Sequence, residues 1–203
     1  MMSDTAAGET PDLGEDSYIE SIGADGVGLF VGFSRRLDRV GHVVSLVNGD
    51  NCTPLFASLE GDDQEDWPAS PPLQEVHIEN RGGSLVAMLV GMAGDSHWSV
   101  AMDPLADGVG ITVAVACRIK QHPVRICSRY GSLLESVLPE VDRDGRMIWS
   151  VDGRRIAVEV VSLPEFPTPE TPSDAAGFEI NASVDEAPFP KTIQWRYRFR
   201  LLA

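Results

Sequence analysis

The sequence predicts an all-β or strongly β-dominated domain, an antiparallel barrel or two-sheet sandwich of about eight to ten strands with one short helix near 132–138. Two observations carry that reading. Turn chemistry recurs roughly every 8 to 12 residues in places, at Val47-Asn48-Gly49-Asp50, Arg81-Gly82-Gly83-Ser84, Ala93-Gly94-Asp95-Ser96, Asp107-Gly108, Asp144-Gly145 and Asp152-Gly153. Between those breaks lie short runs rich in Val, Ile, Leu, Met and aromatics, several alternating apolar and polar side chains with the period of two that a half-buried strand requires.

Residues 1–16 are small, acidic and Gly/Pro-containing and cannot bury enough apolar surface to offset ordering entropy, so a disordered tail is expected there, ahead of a single domain over 17–203. A first strand is expected over 27–33, then a hairpin of 42–47 and 53–59 closed by Asn48-Gly49-Asp50-Asn51. Residues 60–72 form an acidic, proline-containing loop in which Trp67 can pin the segment to the body. Over 73–80, Val76 and Ile78 share one face, with Glu75, His77 and Glu79 on the other. Strands at 84–92, 97–102, 110–119 and 124–129 follow as a meander, the last two joined by a turn at Gln121-His122-Pro123 that would set Cys117 opposite Cys127.

Within the meander one face reads as bulky, with Val86, Met88, Val90 and Met92 beside Trp98, Val100, Met102, Ile111, Val113, Val115, Cys117 and Ile119. The other is small: Ala87, Gly91, Ser99, Ala101, Thr112, Ala114 and Ala116. A small-residue face admits close approach, which fits a covering helix or second sheet, or else a shallow binding surface or dimer face. Ser132-Leu133-Leu134-Glu135 fits a capping box that would start the helix, and Pro139 would stop it. A hairpin over 146–151 and 154–163, an acidic, proline-rich connection at 164–175, a strand at 178–184 and a terminal strand at 192–202 complete the expectation. The terminal strand alternates Ile193, Trp195, Tyr197, Phe199 and Leu201 with Gln194, Arg196, Arg198 and Arg200, so its apolar face must be docked.

The formal charge is −15, and three base-free segments (1–25, 60–66 and 159–186) hold 19 of the 31 acids. The other 12 acids face all 16 Lys and Arg, so the folded body is near neutral and the acidity describes tail and loops. That distribution argues against nucleic-acid binding. The longest uncharged apolar stretch, 84–93, is about half the roughly 20 residues of a spanning helix, and no signal-peptide pattern opens the chain, so neither membrane nor secretion is expected and the cytoplasm is the expected location. Three scattered cysteines form no disulfide framework or C-x-x-C pair.

Catalytic signatures are missing. There is no G-x-S-x-G, no phosphate-binding loop and no G-x-G-x-x-G. His77-Ile78-Glu79 lacks the P-C-x-x-C partner of a zinc deaminase, and Asp142-Arg143-Asp144-Gly145 lacks the later ligands of a calcium loop. No metal or cofactor is expected, and the reading favours a non-catalytic binding or assembly module. The alternative is a barrel that binds an anionic or apolar small molecule, or an enzyme built on one. The candidate ligand-binding residues are Arg196, Arg198 and Arg200, with His77, Glu75 and Glu79. Three arginines about 7 Å apart on one strand face repel unless acids (Glu75 and Glu79, or Glu159) or a bound anion sit among them. Trp195, Tyr197 and Phe199 would be core in the first case and the floor of a cavity in the second.

Overall fold

A computed structural model describes residues 17–61, 64–135, 137–184 and 188–202; the tail expected at 1–16 lies outside them. It shows two antiparallel sheets packed face to face as a sandwich, not closed into a barrel. The strands in chain order are β1 (Tyr18–Ile22), β2 (Val27–Arg36), β3 (Arg39–Asn48), β4 (Asn51–Ser58), β5 (Glu75–Arg81), β6 (Ser84–Ala93), β7 (Ser96–Pro104) and β8 (Gly110–Ile119). They continue as β9 (Cys127–Ser132), β10 (Glu140–Val141), β11 (Met147–Val151), β12 (Arg154–Val161), β13 (Ser173–Asp174), β14 (Gly177–Asn181) and β15 (Lys191–Leu202). The first sheet runs β1-β2-β3-β4-β9-β14-β13 and the second β10-β11-β12-β15-β8-β7-β6-β5.

Local turn chemistry sets the hairpins. Asp152 and Gly153 both take positive φ, 51° and 73°, the mirror-image turn whose twist matches that of the strands it joins, β11 and β12. The terminal strand β15 is docked by its apolar face, as its alternation requires, and lies inside the sheet, paired with β12 on one side and β8 on the other. Its Trp195, Tyr197 and Phe199 are at most 1% exposed and face the first sheet. Phe199 lies 6.0 Å from Phe56 and 5.4 Å from Tyr130 between ring centroids, and Phe56 meets Trp149 edge-on at 4.7 Å. Trp67 packs on this core from its loop.

The described residues form fifteen strands where about eight to ten were expected, and the structure differs from expectation in three further places. No helix forms over 132–138 in the described residues. The main chain of Ser132 and Leu133 is already committed to the sheet, donating to the carbonyls of Ala176 and Leu55. The Ser132 hydroxyl instead accepts from the Leu134 N–H, a local turn that competes with helix initiation.

Cys117 and Cys127 do not face each other across a hairpin, because the chain leaves β8 in the second sheet and enters β9 in the first. Both thiols are free and buried, and burial raises their pKa values to about 12 and about 11.

The third difference concerns β6, whose large side chains point away from the core. Met88, Val90 and Met92 are 42%, 47% and 47% exposed, while Ala87 and Leu89 are fully buried. Cross-strand register gives the reason. Ala87 pairs with Met102, Leu89 with Val100 and Gly91 with Trp98, so small β6 residues sit inside against large β7 residues. A Cβ on Gly91 would lie 1.8 Å from the Pro72 carbonyl oxygen, so the backbone of the incoming loop occupies the space that a side chain would need.

Phe199→Ala removes a buried ring with several aromatic neighbours, and it should cost roughly 3 to 5 kcal/mol. Urea unfolding followed by intrinsic fluorescence measures this; an unchanged midpoint would place Phe199 outside the core.

Candidate functional site

The outer face of the second sheet from β15 to β5 gathers all six candidate residues. On β15, Arg200, Arg198 and Arg196 pair across the sheet with Gly110, Thr112 and Ala114 of β8, and Ala114 pairs with Ala101 of β7. Met88 of β6 comes next to Ala101, and His77 of β5 next to Met88. The row beside it runs Gln194, Ala116, Ser99, Val90, Glu75. The face is thus a band of arginines on β15, a floor of Ala114, Ala116, Ser99 and Ala101, a ridge of Met88, Val90 and Met92, and an acidic rim of Glu75 and Glu79.

The six residues share the face but not one cluster. β15 and β5 are four strand spacings apart, ~19 Å at ~4.8 Å each, so Glu75 and Glu79 do not balance the arginines within one chain. Glu159, directly across from Arg198, does so: its Oε1 lies 3.7 Å from Arg198 Nη1 and 3.6 Å from Arg200 Nε. Asp107 approaches Arg200 Nη2 at 3.3 Å. Arg196 has no ion-pair partner among the described residues, and neither has Glu75, whereas Glu79 pairs with Arg81. A shallow groove of about 340 Å³ opens at one end of the face, between Gln74, Glu75, Val90, Met92 and His97.

Sequence reasoning put Met88, Val90 and Met92 on the same face as Trp98, Val100 and Met102 and so missed their exposure on the opposite face. The available signal was complementarity of size. Gly91 and Ala87 leave room for the bulky Trp98 and Met102, their cross-strand neighbours on the inner face, and Met92 and Met88 at those positions would overfill it.

A second polar cluster lies inside the sandwich, where β3, β4 and β9 face β15. Tyr197 and Tyr130 share a hydrogen bond of 2.8 Å between hydroxyls, and Tyr130 bonds His42 Nε2 at 2.8 Å. The Ser58 hydroxyl accepts from the His42 N–H at 2.8 Å and donates to the Glu60 carboxylate. Ser58 therefore meets the main chain of His42 and not its ring, so a nucleophile–base contact is not made here. Trp195 Nε1 donates to Ser128 Oγ at 3.1 Å.

The space left among these groups is about 10 Å³, room for one water molecule, and His42 Nδ1, without a hydrogen-bond partner, belongs to a residue lining it. Burial holds the His42 imidazole down at about 4 and pushes Tyr197 up to about 12. Burial also raises Glu60, against the opposing pull of the Ser58 hydroxyl and the Arg36 and Arg39 charges. Among the described residues, no three His, Cys, Asp or Glu side chains converge as metal ligands would.

Two outcomes follow. His42 is kept neutral by the fold, so its stabilising contribution is complete above its unfolded value near 6.5 and is lost as pH falls toward 4, a difference of about 3 kcal/mol at most. Glu60 acts oppositely but is common to parent and variant. The stability gap between the parent and His42→Gln should narrow across that window in urea titrations, and a pH-independent gap would show that the imidazole titrates normally. Arg198→Gln should change stability by less than about 1 kcal/mol, since its partner Glu159, at a partly buried site, keeps the Arg200 charge beside it; thermal unfolding without added ligand checks it.

Comparison with protein-family models, with curated proteins and with solved structures finds no match to this chain.

Proposed function

We propose that this chain is a non-catalytic binding or assembly module whose working surface is the outer face of the second sheet between β15 and β5. The observation that carries the reading is the ridge of Met88, Val90 and Met92, each more than two-fifths exposed, beside a floor of alanine and serine left half-buried or exposed among the described residues. Large side chains left in water beside a flat floor mark a surface suited to association. The interior supports the same reading. Trp195, Tyr197 and Phe199 are packed against the opposite sheet, and the space beside the polar cluster admits one water, where a small-molecule pocket takes roughly 300 to 1,000 Å³.

A photo-reactive amino acid at Val90, with one at exposed Ser34 of the other sheet as control, tests this in the cells that make the protein. Adducts to a defined protein at Val90 and none at Ser34 are expected. No adduct at Val90, or equal labelling at both, would overturn the proposal.

A further inference from the structure

We infer that the partner for this face is a second copy of the chain, joined by a twofold axis running along β7. The inference rests on the module reading above and names its occupant. In the order β15-β8-β7-β6-β5, β7 is central, so a half-turn about an axis along it exchanges β8 with β6 and β15 with β5. The features on either side are complementary under that exchange. Met88 of one copy falls on Ala114 of the other, and Val90 falls on Ala116, because Met88–Ala101–Ala114 and Val90–Ser99–Ala116 are cross-strand rows. Met88 and Val90 thus meet the floor in both directions at once, and Met92, in the row Met92–His97–Arg118, falls on Arg118. Along the axis β7 meets its own copy through Ala101 and Ser99 at the centre, whose small size allows the sheets to approach, with His97 and Asp103 meeting their own copies at the two ends.

Charge follows the same symmetry. The arginine strand of one copy lies over the acidic rim of the other, and Arg196 falls in the row of His77, between Glu75 and Glu79. Arg196 and Glu75 have no ion-pair partner within the chain among the described residues, and this arrangement gives each one. Face-to-face sheets pack ~10 Å apart and turn about 30° from parallel. At two strand spacings from the axis that turn displaces a side chain by about 5 Å along the strand, which an arginine spans when carboxylates flank its row.

Five strands at ~4.8 Å by about seven residues at ~3.4 Å give roughly 600 Å² from each copy, somewhat under the ~800 Å² of a standard interface. The dimer is accordingly a weak one, and concentration controls it.

Sedimentation velocity of the full chain from about 1 μM to about 1 mM tests this, with thermal unfolding confirming that each exposed-site variant is folded. A monomer–dimer equilibrium is expected. Val90→Glu and Arg196→Glu should each weaken it about tenfold or more, and Arg196→Glu combined with Glu75→Arg should recover most of the loss. Those two positions are ~19 Å apart in one chain, so rescue can come only from contact between copies. A monomer throughout, a dimer indifferent to both single changes, or weakening without rescue would each overturn the inference. If the chain stays monomeric while the Val90 probe captures a different protein, the module reading stands and self-pairing falls. If it is monomeric and the probe captures nothing, both fall.

Discussion

The contact between Gly91 and its neighbours governs much of this structure. Trp98, buried to within 2% of complete, pairs across the sheet with Gly91, and the Pro72 carbonyl lies where a Gly91 side chain would begin. No residue with a Cβ fits there, so Gly91 must face inward. A strand has a side-chain period of two, and fixing one residue's face therefore fixes every other along it. Ala87 and Leu89 go in with Gly91; Met88, Val90 and Met92 go out. The indole on the other side of that contact continues the chain of packing, meeting Trp195 edge-on at 6.1 Å.

That constraint explains why a sheet buried on one face carries apolar bulk on the other. The outward methionines and valine are not surplus core residues but the consequence of a register chosen for the interior. Their neighbours are equally determined, because the same rows that set Trp98 and Val100 inward set Ser99 and Ala101 outward. The outer face thereby acquires a ridge and a floor of matching pitch, with Arg196 and Glu75, unpartnered among the described residues, on strands equidistant from β7. Those features support the proposed association surface.

The interior holds its polar groups by a different rule. Tyr197, Tyr130 and His42 form a hydrogen-bonded line across the gap between sheets, linking β15 to β9 and β3. Such groups are costly when unpaired in a region of low dielectric, and pairing them ties the two sheets in one lateral alignment. Burial then holds the imidazole neutral and the phenols protonated at ordinary pH. The result is a filled sandwich whose core couples the sheets and leaves no room for a ligand larger than water in the space beside that line.

The sequence by itself determined the local elements. The hairpins at 48–51 and 152–153 follow from turn residues, and β15 from its strict alternation, because turn geometry and strand period are encoded within a few neighbouring positions. The docking of the β15 aromatic face was legible for the same reason, while the place of β15 between β12 and β8 was not. What only the tertiary structure decided is how those elements meet. Ser132 has the side chain of a helix cap, yet the carbonyls of Ala176 and Leu55, distant in sequence, claim the backbone there. Cys127 follows a plausible turn but belongs to the other sheet. Arg198 and Arg200 find Glu159, while Glu75 and Glu79 lie across four strand spacings. The face taken by Met88, Val90 and Met92 depends on a carbonyl at Pro72 and an indole at Trp98. Strand order and interior crowding are properties of the assembled sheets, and no window of neighbouring residues contains them.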